Sequence, residues 1–417
     1  MKFEDYRIIS ELKKAIADEG FKKPTDIQYK SIPPILRGED VLAIAQTGTG
    51  KTAAFAIPII DRIVRTSQKS RAKGVVKCVV MTPTHELAIQ VGEVFKTFAK
   101  HTKLQILTLH GGVDQAPQIE QLKKGVDILV ATPGRLFDLR AQGYLKLDKV
   151  SFLVLDEADH MLDLGFLKDI KDLMRFLPAK RQTLFFSATI NPKIKKLAYS
   201  LVKDAIRIQI SPKDPVAKNI EHAVSFVQMD DKRFFLEHVL KENKSFKVLV
   251  FVRTKVRAER VKKAMERVNI STLTIHSDKE DSERAEAIDA FRKGKTKVLI
   301  ATDISARGLD IPDIDLVINY DLPDHPENYV HRVGRTGRGK QKGKALSFCS
   351  KDEKVYLDHI ETFVNNPIAE IKVDNTDYSA VKNQTEEGLN DVNDLMQRIQ
   401  EFDETSKQMK KKRKNRK

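Results

Sequence analysis

Val41-Leu42-Ala43-Ile44-Ala45-Gln46-Thr47-Gly48-Thr49-Gly50-Lys51-Thr52 places a short apolar run directly before a glycine-bearing turn, and an apolar helical stretch follows it. A strand that ends in such a turn and hands over to a helix is the setting of a phosphate-binding P-loop. Gly48 and Gly50 let backbone N–H groups turn inward around a phosphate chain, with Gln46, Thr47 and Thr49 completing the loop, and the helix N-terminus behind them adds its dipole. In this reading Lys51 reaches the β- and γ-phosphates and Thr52 holds magnesium. Ala45 stands where the general pattern has its first glycine, so the turn taken alone also fits a glycine-rich bend with an accidental Lys-Thr.

A second stretch narrows that choice. Phe152–Leu155 reads as a buried strand, and its C-terminal end delivers Asp156-Glu157-Ala158-Asp159. Acids at the carboxyl end of a parallel strand sit where open α/β sheets bind ligands. Asp156 is placed to hold magnesium through water, and Glu157 to orient and deprotonate an attacking water, as in-line phosphoryl transfer requires. An isolated acidic tetrad is more often a solvated helix N-terminus; after an apolar strand and downstream of a P-loop, the catalytic reading is the better one.

Outward from these two stretches the same rhythm repeats. Val76–Thr82, Ile128–Ala131 and Thr183–Phe186 are further β-rich runs, each ending in a turn before a helical pattern, and the rhythm resumes with Lys247–Val252, Thr272–Ile275, Lys297–Ala301, Leu316–Tyr320 and Lys344–Cys349. This predicts an α/β chain with two open, mostly parallel sheets flanked by helices. Ser211-Pro212-Lys213-Asp214-Pro215 carries two prolines that neither a helix nor a central strand tolerates, which puts a linker at 211–218 between domains 1–210 and 219–372. Beyond them, 373–406 is polar but carries Leu389, Val392, Leu395, Met396, Ile399 and Phe402 at the spacing of one apolar helical stripe. In 407–417, eight of eleven residues are Lys or Arg, a tail expected to be disordered.

Composition sets outer limits. At 417 residues with 41% hydrophobic content the chain is too long for one core and rich enough for two. A net charge of +16, carried mainly by residues 1–210, suits a polyanionic partner. Cys78 and Cys349 are the only cysteines, which excludes a disulfide framework or a cysteine-rich zinc site and suits a reducing cytoplasm. No run approaches the about 20 apolar residues of a membrane span, and the acids at Glu4 and Asp5 do not fit a secretory signal, so a soluble protein is expected.

The chain resembles the DEAD-box helicase family from about Phe3 to about residue 370; the family's name is spelled by residues 156–159. The resemblance implies two tandem RecA-like domains. Gly20-Phe21-Lys22-Lys23-Pro24-Thr25-Asp26-Ile27-Gln28, preceded by the isolated Phe3, is similar to the family's adenine-reading motif, so Phe21, Thr25 and Gln28 are implied nucleotide contacts. Ser187-Ala188-Thr189 matches the motif that, with Asp159, couples the magnesium-site acids to closure. Thr302-Asp303-Ile304-Ser305-Ala306-Arg307-Gly308-Leu309-Asp310 matches the cleft loop of domain two, with Gly308 toward the γ-phosphate and Asp310 toward the ribose. In Tyr329-Val330-His331-Arg332-Val333-Gly334-Arg335-Thr336-Gly337-Arg338 the arginines Arg335 and Arg338 resemble arginine fingers, and His331 joins the coupling residues. The guanidinium fork suits γ-phosphate oxygens.

For RNA, the resemblance implies Pro83, Thr84, His85, Gly111, Gly112, Thr132, Pro133, Gly134 and Arg135 in domain one, and Arg253, Thr254 and Thr302 in domain two. Backbone N–H groups, hydroxyls and arginines read a sugar-phosphate chain without reading its sequence, and 2′-hydroxyl contacts would separate RNA from DNA. Two departures stand out. His85 replaces the family's arginine in Pro-Thr-Arg-Glu-Leu; our hypothesis is weaker RNA binding above neutrality, so that His85→Arg binds RNA more tightly at pH 8. Ser277 and Asp281 replace the usual Gly and Gln after His276.

The implied activity is an RNA-dependent ATPase, with ATP and Mg2+ as cofactors, that clamps single-stranded RNA when ATP joins the domains and locally opens short duplexes. The expected partners are RNA and ribosomal or RNA-degradation complexes, the expected state is a monomer, and compact length with a short tail resembles the bacterial RhlE-like subgroup. Two other readings stay open: a DNA translocase built from the same paired domains, and a non-unwinding RNA clamp. The basic tail is expected to tether RNA non-specifically.

Overall fold

The computed structural model describes residues 2–371, apart from 47, 68–74, 211–215, 217–218, 307–310, 312, 338–341 and the side chains of Asp281 and Ile304. The stripe expected within 373–406 and the tail 407–417 lie outside the described residues, as does the 211–218 linker except for Val216. The chain divides into two compact units, Met1–Ser211 and Pro212–Lys417.

In the first unit β1 (Val41–Ala45), β2 (Cys78–Met81), β3 (Ile106–Leu109), β4 (Ile128–Ala131), β5 (Phe152–Leu155), β6 (Gln182–Ser187) and β7 (Ile206–Ile210) form a parallel sheet in the order β3-β4-β2-β5-β6-β1-β7. Every residue of β1, β2, β4, β5 and β6 is buried, because helices cover both faces of the sheet and leave no position for a polar side chain facing water. Alternate residues feed two separate cores. Val41 and Ala43 pack with Phe55, Ile60, Val91 and Phe95 of helices Lys51–Ser67 and His85–Ala99. Leu42 and Ile44 point the other way, into the core that holds Leu136, Leu173 and Leu197 of helices Pro133–Ala141, Leu167–Phe176 and Pro192–Leu201.

The second unit repeats this plan. β8 (Ile220–Phe226), β9 (Val248–Phe251), β10 (Leu273–Ile275), β11 (Val298–Ala301), β12 (Leu316–Asn319), β13 (Gly343–Cys349) and β14 (Ala369–Ile371) run parallel in the order β10-β11-β9-β12-β13-β8-β14. Counted from its own first strand, that is the order of the first unit. The registers agree as well: Met81 pairs with Leu155 at the ends of β2 and β5, and Phe251 with Asn319 at the ends of β9 and β12. Parallel strands place all carboxyl ends on one edge of each sheet, where ligands of open α/β sheets bind. The two tandem α/β sheets expected from the sequence are present, each doubly wound.

Candidate active site

The carboxyl edge of the first sheet gathers the motifs. β1 runs into the glycine turn, where Gly48 (φ 77°) and Gly50 (φ 91°) take left-handed backbone angles that a side chain would strain. Lys51 opens the next helix; its side chain is buried and its Nζ donates to Ala45 O at 2.9 Å, so the ammonium lies folded back over the loop. Thr49 Oγ1 donates to Gln46 O at 2.7 Å and tightens the same turn. Thr52 stands in the first turn of helix Lys51–Ser67, and Thr47 lies outside the described residues.

Thr25 and Gln28 meet this loop directly. Gln28 Oε1 accepts from Thr25 N at 2.9 Å, capping helix Asp26–Arg37, while Gln28 Nε2 donates to Gly50 O at 3.2 Å and Thr25 Oγ1 donates to Thr49 O at 2.8 Å. The helix start is thereby fastened to the phosphate loop, a tie that the adenine-reading role expected of Gln28 does not reveal. Phe21 is half-exposed, with its ring 6.4 Å from that of Phe3 and 6.1 Å from that of Phe98. An aromatic ring braced by two others and half open to solvent can offer a face to a flat ligand.

Beside the loop, β5 and β6 deliver the acids and their partners. Asp156 is buried, and burial pushes its carboxyl up to about 7, against the pull of Lys51 and with the help of Glu157. Asp156 Oδ1 accepts from Glu157 N at 3.1 Å. Glu157 sits at φ 51°, ψ 50°, the left-handed region, just before helix Ala158–Asp163. Asp159 Oδ2 accepts three hydrogen bonds, from Ala188 N at 3.2 Å, Thr189 N at 3.0 Å and Thr189 Oγ1 at 3.1 Å, and Ser187 Oγ donates to Thr189 O at 2.8 Å. The acidic tetrad and the Ser187–Thr189 turn are one hydrogen-bonded unit.

Farther along the same edge, two threonines start helices. Thr84 caps His85–Ala99, its Oγ1 accepting from Leu87 N at 3.3 Å, and Thr132 precedes Pro133 at the head of Pro133–Ala141. Pro83, between strand and cap, is buried, and Gly134 is exposed. The His85 ring lies 5.5 Å from that of His110 and within 3.2 Å of where a Cβ on Gly111 would stand. Gly112 takes φ 72°. Arg135 Nη2 donates to Val113 O at 2.9 Å, and its Nη1 has no hydrogen-bond partner among the described residues. Helix N-termini, turned glycines and an arginine along one rim are the components of a phosphate-backbone track.

In the second unit the equivalent edge holds Arg253, Thr254 and Thr302. Thr254 caps Lys255–Arg267, its Oγ1 accepting from Arg257 N at 3.2 Å, and Thr302 Oγ1 donates to Ser305 Oγ at 3.3 Å. Ser277 is exposed, and next to it Asp278 pairs with Lys255 at 2.8 Å. Arg253 Nη2 donates to Leu322 O at 3.1 Å and Glu353 Oε1 at 3.0 Å, and its guanidinium lies 4.9 Å from the centre of the Tyr356 ring. His331 is partly buried, and Arg335 is buried with its Nε donating to His331 O at 3.2 Å. Gly308, Asp310 and Arg338 lie outside the described residues.

Two residues that the sequence reading did not single out hold this half together. Arg332 is fully buried and forks onto Asp303, with Nη2 to Oδ2 at 2.7 Å, while its Nη1 donates to Asp321 O at 2.7 Å and Asn319 Oδ1 at 3.2 Å. It pins helix Pro326–Val333 to the short helix Asp303–Ala306 that follows β11. The available signal was an arginine set among Tyr329, Val330 and Val333, on the apolar side of its helix, since a buried arginine requires a carboxylate partner. Among the described residues no helix is long and apolar enough to cross a membrane, and both cysteines are buried and free.

Comparison with known proteins agrees with this fold. Residues 25–197 match the DEAD/DEAH box helicase family, and residues 231–340 match the helicase conserved C-terminal domain. The ATP-dependent RNA helicase RhlB of Shewanella oneidensis is 38% identical over 370 residues, covering 88% of this chain and 84% of its own. RhlB of Shewanella frigidimarina is 39% identical over 370 residues, covering 88% and 85%. Among solved structures, S. cerevisiae Dbp5 bound to RNA and ADP BeF3 superposes with a TM-score of 0.79 at 30% identity, covering 91% of this chain and 98% of its own. Mss116p bound to ssRNA and AMP-PNP gives 0.80 at 29% identity, covering 92% and 82%. With the phosphate loop, the acidic tetrad and a duplicated strand order in place, this chain belongs to the DEAD-box family of ATP-dependent RNA helicases.

Proposed function

We propose that this helicase couples ATP binding and hydrolysis to clamping single-stranded RNA and to local opening of short duplexes, acting as a cytoplasmic RNA-remodelling enzyme whose domains are 1–210 and 219–372. The observation that carries the reading is the bonded unit at the carboxyl edge of the first sheet, where Asp159 receives Ala188 and Thr189 beside Asp156 and Glu157.

In the proposed cycle Phe21 and Gln28 hold the base, and Gly48, Gly50 and Lys51 hold the phosphates. Lys51 must leave Ala45 O to reach them. Glu157 orients the attacking water and accepts its proton. Arg335 and Arg338 supply positive charge to the transition state. The residues present fit magnesium: a carboxyl raised to about 7 by burial is a buried acid without enough positive charge near it, and Thr52 offers a hydroxyl beside Lys51. A bound magnesium would neutralise phosphate charge there. ATP on the first unit and RNA on the strand-end rims of both units then favour each other's binding. The relatives named above are RhlB helicases, so the RhlE-like subgroup draws no support from them.

The test is phosphate release from ATP with no nucleic acid, with single-stranded RNA and with matching DNA, with Glu157→Gln alongside. Stimulation by RNA alone, lost in Glu157→Gln, is the expected result. Equal stimulation by DNA supports the translocase instead, and ATP-dependent RNA binding without turnover supports the clamp.

A further inference from the structure

His160 follows the acidic tetrad in helix Ala158–Asp163 and is 2% exposed. Neither of its ring nitrogens has a hydrogen-bond partner among the described residues. Buried polar side chains are nearly always paired, because leaving one unsatisfied forfeits its hydration for nothing. The Nδ1 atom stands 3.5 Å from Glu157 Oε2, just beyond hydrogen-bond reach. Glu157 is itself in the left-handed region, where few residues with a side chain are found. Two costly features therefore meet at one contact, and strain of this kind persists where the surrounding structure holds it in place. Packing alone does not account for the histidine, since a phenylalanine of similar shape would fill the space without orphaned nitrogens.

We propose that His160 is a positioning residue for Glu157. The inference rests on Glu157 being the group that activates water. As the Glu157 carboxylate turns onto the attacking water, the His160 Nδ1–H donates to Oε2 and leaves the other oxygen facing the water. A movement of a few tenths of an ångström closes the gap to a normal bond length. His160 touches neither nucleotide nor RNA in this role; it removes the freedom of the carboxylate to rotate away.

The experiment compares RNA-stimulated phosphate release for wild type, His160→Phe and His160→Asn, each also in the Glu157→Gln background, with thermal unfolding of every variant. Phenylalanine keeps the shape and loses the donor; asparagine carries an amide nitrogen near the position of Nδ1. The expected result is a kcat about tenfold lower for His160→Phe, the size expected for one charge-assisted hydrogen bond, with KM for ATP and RNA affinity unchanged. His160→Asn should recover most of that loss, and His160→Phe should have no further effect once Glu157 is Gln. An unchanged kcat in His160→Phe, or an equal loss in both backgrounds, overturns the proposal. Full activity in Glu157→Gln alone fails the water-activating role itself, which is a separate outcome.

Discussion

Thr84 and Thr254 occupy one position in two copies of the same fold. Each stands three residues past the end of its unit's second strand, Met81 or Phe251, and each accepts an N–H from three residues on, at 3.3 and 3.2 Å. Thr132 and Thr302 repeat the correspondence one residue past Ala131 and Ala301. The rim proposed to bind RNA is thus a feature of the duplicated sheet edge. Thr84→Val and Thr254→Val should each lower unfolding stability by about 1 kcal/mol through loss of the cap. Both should weaken single-stranded RNA binding, and serine at either position should restore both properties. Urea unfolding and RNA titration check this; full RNA affinity in both valine variants would remove these threonines from the rim.

Gly50 is the point where the segment proposed to read the base touches the glycine turn. A Cβ there would lie 2.5 Å from Gln28 Nε2 and 3.2 Å from Thr25 Oγ1, on a backbone already at φ 91°. Gly50→Ala must therefore push the Gln28 amide off Gly50 O as well as strain the loop. The expected outcome is an ATP affinity lower by tenfold or more, on the order of 1.4 kcal/mol, with RNA binding in the absence of nucleotide preserved. Titration with a fluorescent ATP analogue decides it.

Asp159 holds the turn after β6 with one oxygen receiving three donors. Asp159→Ala leaves two backbone N–H groups and a hydroxyl without their acceptor, at a cost of about 1–3 kcal/mol to the first unit. Thr189→Val removes one of the three and should cost about 1 kcal/mol. If this turn couples the acids to RNA, duplex unwinding should fall more steeply than phosphate release in Thr189→Val. Equal losses in the two assays would make the turn a structural brace only.

What could be read in advance followed from burial. β1, β5 and β9 are apolar at every position because helices cover both faces, and such runs stand out in a sequence. The strands β3, β7, β8 and β14 escaped notice because polar residues enter them: β3, β7 and β14 lie at sheet edges, and the interior β8 carries the partly exposed Glu221 and His222. Ile206-Arg207-Ile208-Gln209-Ile210 alternates with period two, a pattern that does mark a half-buried strand, whereas the three residues Ala369-Glu370-Ile371 carry too little pattern. The site motifs were legible because local spacing defines them. Contacts such as Arg332 with Asp303, or Gln28 with Gly50, join elements that only the fold brings together, and spacing gives no sign of them.

The same limit hid the charge cluster behind Arg253. Lys232 is fully buried, 3.7 Å from Asp321, with Glu353 also on its ammonium and Tyr320 O accepting from it at 2.7 Å. Arg257 Nη2 lies 3.0 Å from Asp321 Oδ1, and Asp321 Oδ2 accepts from Arg253 N at 3.0 Å. Burial raises the Asp321 carboxyl, but Lys232, Arg257 and the Arg253 N–H outweigh it and hold it below the usual carboxylate range. A carboxyl depressed on folding contributes stability that is complete above its unfolded pKa and is lost as pH falls through its folded one. The second unit should therefore lose stability as pH drops below about 4, the ordinary aspartate value. Asp321→Asn should cost about 3 kcal/mol at pH 7, because it takes a carboxylate from the fully buried Lys232 and the partly buried Arg257, and should flatten the acid-side slope. Denaturant unfolding between pH 3 and pH 7 measures both. An Asp321→Asn chain that keeps the wild-type slope would show that other carboxylates govern acid unfolding, and one that keeps wild-type stability would show that Lys232 finds its compensation in Glu353 alone.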